Sequence, residues 1–371
     1  MKILVVHNSE LSHFPPVINL VQNLLKNGHI VILMSKDDSG IVNSFFCPNF
    51  EYIKLDSSDN YGRVEKVIKY IRRRLYIRKK VKEIMEDCDL IWTTTDTVVR
   101  EIGKQLFQYK HVMQLMELIE YTPLFQGCPV LRMNIKEYAR RAYKVVVPEY
   151  NRAHIQKTWW GLSKTPTVLP NKPYTIPKFD ENIPESVQIF INQMKCEKRK
   201  ILLYQGVFYA DRNLDIIADA VDQLNDKYCL YIMGRETEYS RKLCGNHPGI
   251  VKLPFIIPPY HMCITANADI GLMPYTPGKA FYYSVLNALY CAPNKIFEYA
   301  GFGLPMLGAD VPGITIPFKS YDMGRTYENT VQSVIRALEE IDEYYNKMKK
   351  NSFDYYNSID LDAIVDSILK G

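Results

Sequence analysis

Short apolar runs alternate with helical patterns along most of this chain, and no other feature restricts its fold as strongly. The first half contains predicted strands at 2–7, 30–35, 52–55, 90–94, 112–115 and 145–148, with helical patterns at 17–27, 61–86, 97–108 and 131–142. The second half contains predicted strands at 201–205, 229–233, 250–253, 270–273 and 304–308, with helical patterns at 214–225, 260–266, 327–350 and 361–369. Continuous apolar strands that alternate with helices are typical of parallel sheets buried on both faces. The sequence therefore predicts an α/β protein with doubly wound, Rossmann-like sheets.

The length of 371 residues favours two domains, because it exceeds what one core usually holds. The alternation lapses over 171–199, where prolines are frequent, so we predict a first domain over 1–170, a linker region over 171–199 and a second domain over 200–354. Apolar residues make up 47% and charged residues 23%, which is typical of a folded protein. No apolar run approaches the roughly 18 to 20 residues that span a bilayer.

The start of the chain and the cysteines favour a cytoplasmic location. Residues 1–8 turn polar after a short apolar run, which indicates a first strand and not a signal peptide. None of the eight cysteines forms a Cys-x-x-Cys pair or a metal-binding spacing, so we expect reduced thiols.

Residues 292–305 read APNKIFEYAGFGLP and carry the strongest functional signal. Pro293 suits the first turn of a helix, and Gly-x-Gly-Leu-Pro ends the helix before an apolar strand. The helix N-terminus suits a phosphate, and Glu298 lies one turn into the helix. A carboxylate beside an anion site is useful when the ligand also offers hydroxyl groups, as a ribose joined to a diphosphate does. The alternative is an ordinary capped helix before a buried strand.

This segment resembles the donor-binding helix of the family-4 retaining glycosyltransferases, which have the GT-B fold. In their Glu-x7-Glu pattern the second Glu binds the nucleotide ribose and matches Glu298, whereas the first Glu falls at Tyr290. The Pro-Asn-Lys-x-x-Glu-Tyr version is similar to a subgroup that is common in bacterial surface-polysaccharide synthesis. The resemblance implies two Rossmann-like domains that face a central cleft, with a C-terminal helix (355–371) that crosses back to the first domain.

The resemblance also implies residues that bind the donor diphosphate. Family members usually have Gly-Arg-Leu after the first strand of the second domain and a Lys five residues after the Arg. This chain keeps Gly206, has Val207 at the Arg position and Arg212 at the Lys position. Lys295 can supply the missing charge, so we expect Arg212 and Lys295 to stabilise the leaving group during catalysis. The alternative for Arg212 is a surface residue at a helix start.

Further candidates for donor binding follow the other strands of the second half. Gly234 permits close approach to the nucleotide, Phe255 can stack on the base, and Asn294 can replace a hydrogen-bonding pair lost at Pro293. Tyr275 and Tyr290 can flank the sugar, at the two ends of an aromatic insertion that includes 281–283. Ordinary turn formation, core packing and a lid packed on itself are the competing interpretations.

In the first half, the loop after the first strand lacks the glycines of many relatives, and Glu10 and His13 become candidates for acceptor contact. Met116-Glu117-Leu118 resembles the His-Glu-Leu of relatives, so Glu117 is a candidate partner for the acceptor or the donor sugar. Otherwise Glu117 caps the following turn.

A basic helix is predicted over 63–85, with ten Lys or Arg between 63 and 82 against one acid, Glu65. Such a helix can bind an anionic membrane surface, or it can be a solvated helix of its own domain. We expect its apolar stripe to face the core. Nucleic acid is disfavoured because no aromatic stacking pattern accompanies the charges.

Together these features and the resemblance predict a retaining, hexosyltransferase-type enzyme of cell-surface polysaccharide synthesis. It is expected to transfer a sugar from a nucleotide-sugar, with UDP-sugar favoured over GDP-sugar, to a glycan or lipid-linked glycan acceptor. We expect no metal, because cationic side chains can stabilise the leaving group, and no cofactor, since the nucleotide-sugar is a substrate. The expected location is cytoplasmic or peripheral on the inner face of the plasma membrane. The rivals are a sugar-nucleotide epimerase with the same fold and a non-catalytic nucleotide-sugar-binding relative or assembly subunit.

Overall fold

The chain divides into two compact units in a computed structural model that describes residues 1–55, 63–125, 128–177, 183–208, 212–277 and 284–371. The side chains of 63–67 and 128–129 also lie outside the described part. Unit 1 comprises Met1–Tyr174, Lys279–Asn287 and Asp360–Gly371, and unit 2 comprises Thr175–Gly278 and Ala288–Ile359.

Unit 1 is built on a seven-stranded parallel sheet. Its strands, with those of a small hairpin, are β1 (Lys2–Glu10), β2 (Ile30–Lys36), β3 (Phe50–Lys54), β4 (Leu90–Thr93), β5 (His111–Gln114), β6 (Thr122–Phe125), β7 (Cys128–Met133), β8 (Lys144–Val147) and β9 (Thr167–Val168). The order in the sheet is β3-β2-β1-β4-β5-β8-β9, and β6 pairs with β7 as an antiparallel hairpin. Every residue of β4 and β5 is buried, as expected for apolar runs in the centre of a parallel sheet.

The helices of unit 1 before residue 174 cover the sheet. They are α1 (Pro15–Lys26), α2 (Arg63–Ile84), α3 (Asp96–Ile102), α4 (Ile135–Arg141) and α5 (Tyr150–Trp160), with 3-10 turns at Leu11–His13, Ile41–Phe45 and Gly103–Gln108. The last 3-10 turn directly continues α3.

Unit 2 repeats the arrangement with a six-stranded parallel sheet of order β12-β11-β10-β13-β14-β15. The elements that follow along the chain are α6 (Glu185–Cys196), β10 (Lys200–Gln205), α7 (Asp215–Gln223), β11 (Tyr228–Met233), α8 (Glu238–Asn246), β12 (Val251–Leu253), α9 (His261–Thr265), β13 (Ile270–Met273), α10 (Leu286–Leu289), α11 (Lys295–Gly301), β14 (Met306–Ala309), α12 (Pro312–Tyr321), β15 (Gly324–Tyr327), α13 (Val331–Glu343) and α14 (Tyr345–Asn357). The boundary between the units falls within α10, after Asn287. Along β10, Ile201 and Leu203 enter one core while Leu202 and Tyr204 enter the core on the opposite face. The predicted doubly wound α/β architecture is confirmed.

The C-terminal helix α15 (Leu361–Lys370) belongs to unit 1, as predicted. Asp362 fixes the first turn of this helix. Its Oδ1 accepts hydrogen bonds from Asn23 Nδ2 at 2.6 Å, Asn27 Nδ2 at 2.8 Å and the Tyr174 hydroxyl at 3.0 Å. Asp360 caps the helix by accepting from the Ala363 N–H. Helix α15 is therefore anchored on α1 by polar contacts, and its apolar residues Leu361, Val365, Ile368 and Leu369 are buried.

Two predicted helices differ from the structure. Residues 131–133 belong to β7, because the segment pairs with β6 before α4 begins. The single helix predicted over 327–350 begins at the last residue of β15 and then covers α13 and the first part of α14. Thr330 starts α13 by accepting from the Ser333 N–H, and Tyr344 separates α13 from α14 with φ −108° and ψ 19°.

The apolar stripe of α2 is divided between core and solvent, which corrects the expectation that all of it faces the core. Ile77 and Val81 are fully buried, whereas Ile68, Ile71 and Leu75 are 45%, 51% and 60% exposed. Leu75 and Ile77 are two residues apart, which is about 200° around a helix, so they cannot share a face.

Among the described residues no helix is long and apolar enough to cross a membrane.

Candidate functional site

Helix α11 is fixed beneath the sheet of unit 2 by Tyr299. The Tyr299 ring is fully buried, and its hydroxyl donates to the Leu203 carbonyl at 3.0 Å. The ring lies so close to Gly271 that a Cβ atom there would be 2.3 Å from it. This contact between helix and strands sets where the preceding turn of α11 meets the carboxyl ends of β10 and β13.

Glu298, in the first turn of α11, has a buried and oriented carboxylate. Its side chain is 7% exposed, and Gln205 Nε2 donates to its Oε2 at 2.5 Å. Gln205 is itself oriented, since its Oε1 accepts from the Thr265 hydroxyl at 2.6 Å. His261 Nε2 lies 3.7 Å from Glu298 Oε1. The last residue of β10 and two residues of α9 therefore hold this carboxylate in place.

The charge of Glu298 is maintained by its neighbours. Burial raises the pKa of the carboxyl group, but His261, the ammonium of Lys295 and the amide of Gln205 lower it more, so the pKa lies below its usual value. An ionised carboxylate can accept hydrogen bonds from ligand hydroxyl groups. His261 Nδ1 is buried and has no hydrogen-bond partner within the described residues.

Lys295 and Arg212 lie on the same aromatic ring at the ends of β10 and β13. The Lys295 ammonium is 5.9 Å from the centroid of the Tyr275 ring, and the Arg212 guanidinium carbon is 3.8 Å from the same centroid. Lys295 also reaches Gly206, where a Cβ atom would lie 2.8 Å from Lys295 Nζ. Two cations that share one ring form a positive site suited to an anion with more than one charge.

Gly234 is required by the backbone of the neighbouring loop. A Cβ atom on Gly234 would lie 2.1 Å from the Gly206 carbonyl oxygen and 2.9 Å from the Phe208 ring. The loops after β10 and β11 thus approach each other closely beside Lys295. Phe255, which is 41% exposed, lies under the Arg235 guanidinium at 5.0 Å from ring centroid to carbon.

Asn294 and Tyr290 precede α11. The Asn294 carbonyl accepts from the N–H groups of Phe297 and Glu298, and its side chain makes no capping hydrogen bond. The backbone at Tyr290 and Cys291 is packed against Gly313 at the start of α12, where a Cβ atom would lie 2.5 Å from the Cys291 carbonyl oxygen. Residues 281–283 of the predicted aromatic insertion lie outside the described part of the chain.

Glu117 lies in unit 1, where it binds Asn287. Asn287 Nδ2 donates to Glu117 Oε2 at 2.8 Å, and Asn287 Oδ1 accepts from the Leu118 N–H at 2.8 Å. The Arg152 guanidinium, 4% exposed, donates to the carbonyls of Met116 and Asn287, both at 3.0 Å. The structure therefore places Glu117 in a network that holds the segment around Asn287 on the end of β5.

Glu10 and His13 also lie in unit 1, after the apolar part of β1. The Glu10 carboxylate accepts from the Asp38 N–H at 2.9 Å, the Ser39 hydroxyl at 3.1 Å and the Ser12 hydroxyl at 3.2 Å. Burial raises the pKa of Glu10, but these hydrogen bonds lower it more, so the pKa is below its usual value. His13 is exposed in the 3-10 turn before α1.

Most of the predicted donor residues are brought together in unit 2. The structure assembles Gly206, Gly234, Arg212, Tyr275, Lys295 and Glu298 around the ends of β10, β11 and β13. The residues that orient Glu298 were missed by the sequence reasoning. Gln205 had a usable signal, because it is a polar residue at the carboxyl end of an otherwise apolar strand, where ligands bind in α/β sheets. Thr265 and His261 had none.

Solved structures with the same architecture cover the whole chain. Anabaena Alr3699/HepE in complex with UDP-glucose aligns with a TM-score of 0.70 at 13% identity, over 100% of this chain and 98% of that chain. A sucrose-phosphate synthase from Thermosynechococcus elongatus aligns with a TM-score of 0.70 at 15% identity, with the same coverage. The chain has the GT-B fold. A Listeria monocytogenes structure assigned as a UDP-N-acetylglucosamine 2-epimerase shares it, with a TM-score of 0.60 at 12% identity over 95% of this chain and 90% of that chain.

No protein-family model matches this sequence, and no curated protein matches it. Within the described residues of this GT-B chain, no group of three or more His, Cys, Asp or Glu is placed to hold a metal ion.

Proposed function

We propose that this GT-B protein is a glycosyltransferase that uses a nucleotide-sugar donor bound in unit 2. The observation that carries the proposal is the cluster at the carboxyl edge of its sheet. Two cations share the Tyr275 ring, and an oriented, buried carboxylate lies three residues beyond Lys295 on the same helix. A diphosphate joined to a ribose offers the matching negative charges and hydroxyl groups.

In the proposed reaction, Arg212 and Lys295 bind the donor diphosphate and stabilise the charge that grows as the bond between the sugar C1 and the phosphate oxygen breaks. A hydroxyl oxygen of the acceptor forms the new bond to C1, and its proton passes to the departing diphosphate. Attack from the face that the diphosphate leaves retains the anomeric configuration, as in the family-4 enzymes that the motif resembles. The two side-chain cations stabilise the negative charge of the leaving group, which a metal ion would otherwise stabilise.

The donor is proposed to be a UDP-sugar carrying a hexose. Glu298 accepts hydrogen bonds from the ribose, and Phe255 stacks on the base. Gly206 and Gly234 have no side chains, so the diphosphate can closely approach the backbone at these two positions. Asn294, Tyr275 and Tyr290 flank the sugar. The complex of the structural neighbour Alr3699/HepE with UDP-glucose supports this choice.

The acceptor is proposed to be a glycan or lipid-linked glycan in cell-surface polysaccharide synthesis, met on the inner face of the plasma membrane. Helix α2 supports this proposal, because Ile71 and Leu75 are exposed beside the exposed cations Arg72, Lys79 and Lys82. Glu10, His13 and Glu117 stay candidates for contact with the acceptor or the donor sugar.

An epimerase is the second candidate, because the Listeria monocytogenes structure shares the fold. A non-catalytic nucleotide-sugar-binding subunit is the third. The epimerase needs acids and bases at the sugar, and Glu298 of the cluster with the neighbouring His261 offers a carboxylate and an imidazole there.

Incubation with UDP-glucose, followed by NMR of the products, separates the three. A glycosyltransferase releases UDP and glucose slowly by hydrolysis, with retained anomeric configuration in the first product, and Arg212→Gln abolishes this release. Formation of a different UDP-sugar with its diphosphate intact would show that the protein is an epimerase and would contradict the proposal. UDP-glucose that binds but stays unchanged, even with glycan acceptors, would favour the non-catalytic subunit. Lys319→Gln, an exposed cation on α12 of unit 2, is the control.

A further inference from the structure

Unit 1 contains a cleft of about 480 Å³ that no part of the proposed glycosyl transfer uses. It lies between α2, the 3-10 turn after α3, the β6–β7 hairpin and α4. Its volume falls in the range of roughly 300 to 1,000 Å³ that is typical of small-molecule sites. Helix α3 starts at Asp96, just after the carboxyl end of β4, and Gly103 follows its other end. The length of the helix therefore puts Gly103 about 10 Å from the carboxyl edge of the sheet.

The cleft is lined by four cations and, among the described lining residues, by no acid. The cations are Arg74, Arg78, Arg100 and Lys104. Two of them are directed by one carbonyl, since the Nε atoms of Arg74 and Arg78 donate to the Glu101 oxygen at 3.3 and 3.0 Å. The carboxylate of Glu101 pairs with Arg73, which does not line the cleft.

Arg100 is a buried cation with an unused donor. Its side chain is 4% exposed, and one of its terminal nitrogens donates to the Pro123 carbonyl at 3.0 Å. Its Nε is buried and has no hydrogen-bond partner within the described residues. A buried donor without a partner is costly, so a ligand that accepts from Arg100 has an energetic advantage at this place.

The cations that line the cleft also repel each other. Burial lowers the pKa of the Arg78 guanidinium, and the charge of Arg74 lowers it further. An anion between these groups removes both penalties, because it replaces lost hydration and screens the repulsion.

We propose that this cleft binds a phosphoryl group, as a phosphate or diphosphate moiety, independently of the donor site in unit 2. Guanidinium groups match phosphate oxygens through paired hydrogen bonds, and four cations exceed what a single carboxylate neutralises. The phosphoryl group can belong to a small phosphorylated ligand or to a lipid headgroup. The exposed Ile71 and Leu75 lie on the same helix as Arg74 and Arg78 and offer an apolar surface to a lipid chain.

Calorimetric titration of inorganic pyrophosphate tests the cleft directly. The titration uses the full chain carrying Arg212→Gln and Lys295→Gln, so that the proposed donor site does not contribute and its failure is a separate result. Adding Arg74→Gln and Lys104→Gln should weaken binding about tenfold or more, which corresponds to about 1.4 kcal/mol. Lys79→Gln with Lys82→Gln removes the same charge from exposed positions on α2 and should change affinity less than twofold. Lys104→Gln alone serves if the double variant unfolds, because Lys104 is exposed. Absent binding, or equal loss in both pairs, overturns the proposal.

Flotation with phosphatidylcholine vesicles, with or without phosphatidic acid, distinguishes the two sources. Binding that requires phosphatidic acid, is lost in the Arg74/Lys104 pair and is displaced by pyrophosphate assigns the cleft to a lipid headgroup. Pyrophosphate binding without vesicle binding assigns it to a small phosphorylated ligand. A third outcome contradicts a built site. If the Arg74/Lys104 and Lys79/Lys82 double variants lose vesicle binding equally, and pyrophosphate does not displace the vesicles, the binding is a diffuse electrostatic attraction to the surface of α2.

Discussion

The carboxyl edges of the two sheets use their acidic side chains differently. In unit 2, side chains orient Glu298: Gln205 donates to it, and Thr265 in turn orients Gln205. In unit 1, the acids orient main chain and neighbouring segments: Glu10 holds the Asp38 N–H, and Glu117 holds Asn287. The Glu298 carboxylate is 7% exposed and is oriented by side chains next to the two cations, whereas Glu10 also binds main chain and Glu117, 43% exposed, holds a neighbouring segment. This difference supports the proposal that the donor binds in unit 2.

The largest expected effect concerns the two cations of unit 2. Arg212→Gln or Lys295→Gln should lower the rate of sugar transfer about 10²- to 10³-fold, because each removes a charge that stabilises the leaving group. Steady-state release of UDP measures the effect, with Lys319→Gln as the matched control. A loss of only a few fold in both variants would remove the basis for placing the diphosphate at Tyr275.

The next effect is a dependence of unit 1 on pH. Burial lowers the pKa of His7 and of His111 to about 3. Both are neutral when folded but take up a proton in the unfolded chain below their ordinary value of 6.5, so stability is lost as the pH falls from 6.5 towards 3. Each contributes a slope of at most about 1.4 kcal/mol per pH unit.

Thermal unfolding between pH 7 and pH 5 checks this slope. His111→Gln, which can keep the hydrogen bond to Thr93, should flatten the decline of Tm with falling pH. An unchanged slope in this variant, and in His7→Gln, would mean that other groups control the acid sensitivity.

A smaller effect separates the two interpretations of Glu117. Asn287→Ala leaves the Leu118 N–H and the Glu117 carboxylate without this partner, so the free energy of unfolding should fall by about 1–3 kcal/mol in urea. Glu117→Gln keeps an oxygen that accepts from Asn287 and should keep both stability and turnover. If Glu117→Gln instead folds normally and loses turnover, Glu117 contacts the reacting sugar and the comparison between the units breaks down.

The smallest effect is expected at Glu10. Its lowered pKa means that its stabilising contribution is present above the ordinary value of 4.5 and is lost as the pH falls through the folded value. Glu10→Gln should destabilise the protein by about 1 kcal/mol at pH 7, and the difference should shrink in acid. A constant difference across this range would show that the charge of Glu10 is irrelevant to the loop at Asp38.

The sequence predicted elements whose pattern is local and missed those that depend on distant partners. Strand β13 was predicted to the residue, because its apolar run is bounded by Asp269 and Pro274. The β6–β7 hairpin was missed, since its strands stabilise each other and carry no parallel-strand pattern. Helix α12 was missed because Pro317 lies inside it and interrupts the helical pattern, although the proline in its first turn is a helix-start signal.

The same distinction applies to the site. Lys295 and Glu298 share one motif, and their common helix was predictable from Pro293 at its start and the Gly-x-Gly-Leu-Pro sequence at its end. The support of Glu298 by Gln205 joins residues 93 apart in the chain, and the pairing of Glu117 with Asn287 joins residues 170 apart. No local pattern encodes such contacts, so only the fold reveals them.

The central claim, a nucleotide-sugar site organised by Glu298, is tested most directly by thermal stabilisation with UDP-, GDP-, ADP- and CMP-sugars. Wild type should be stabilised by one nucleotide class, by about 2.7 kcal/mol at 100 times its Kd. Glu298→Ala should lose this response, and Glu238→Ala, which removes an exposed acid from the first turn of α8, should keep it. A wild type that responds to none of the four, or a Glu298→Ala variant that responds as wild type does, would contradict the account.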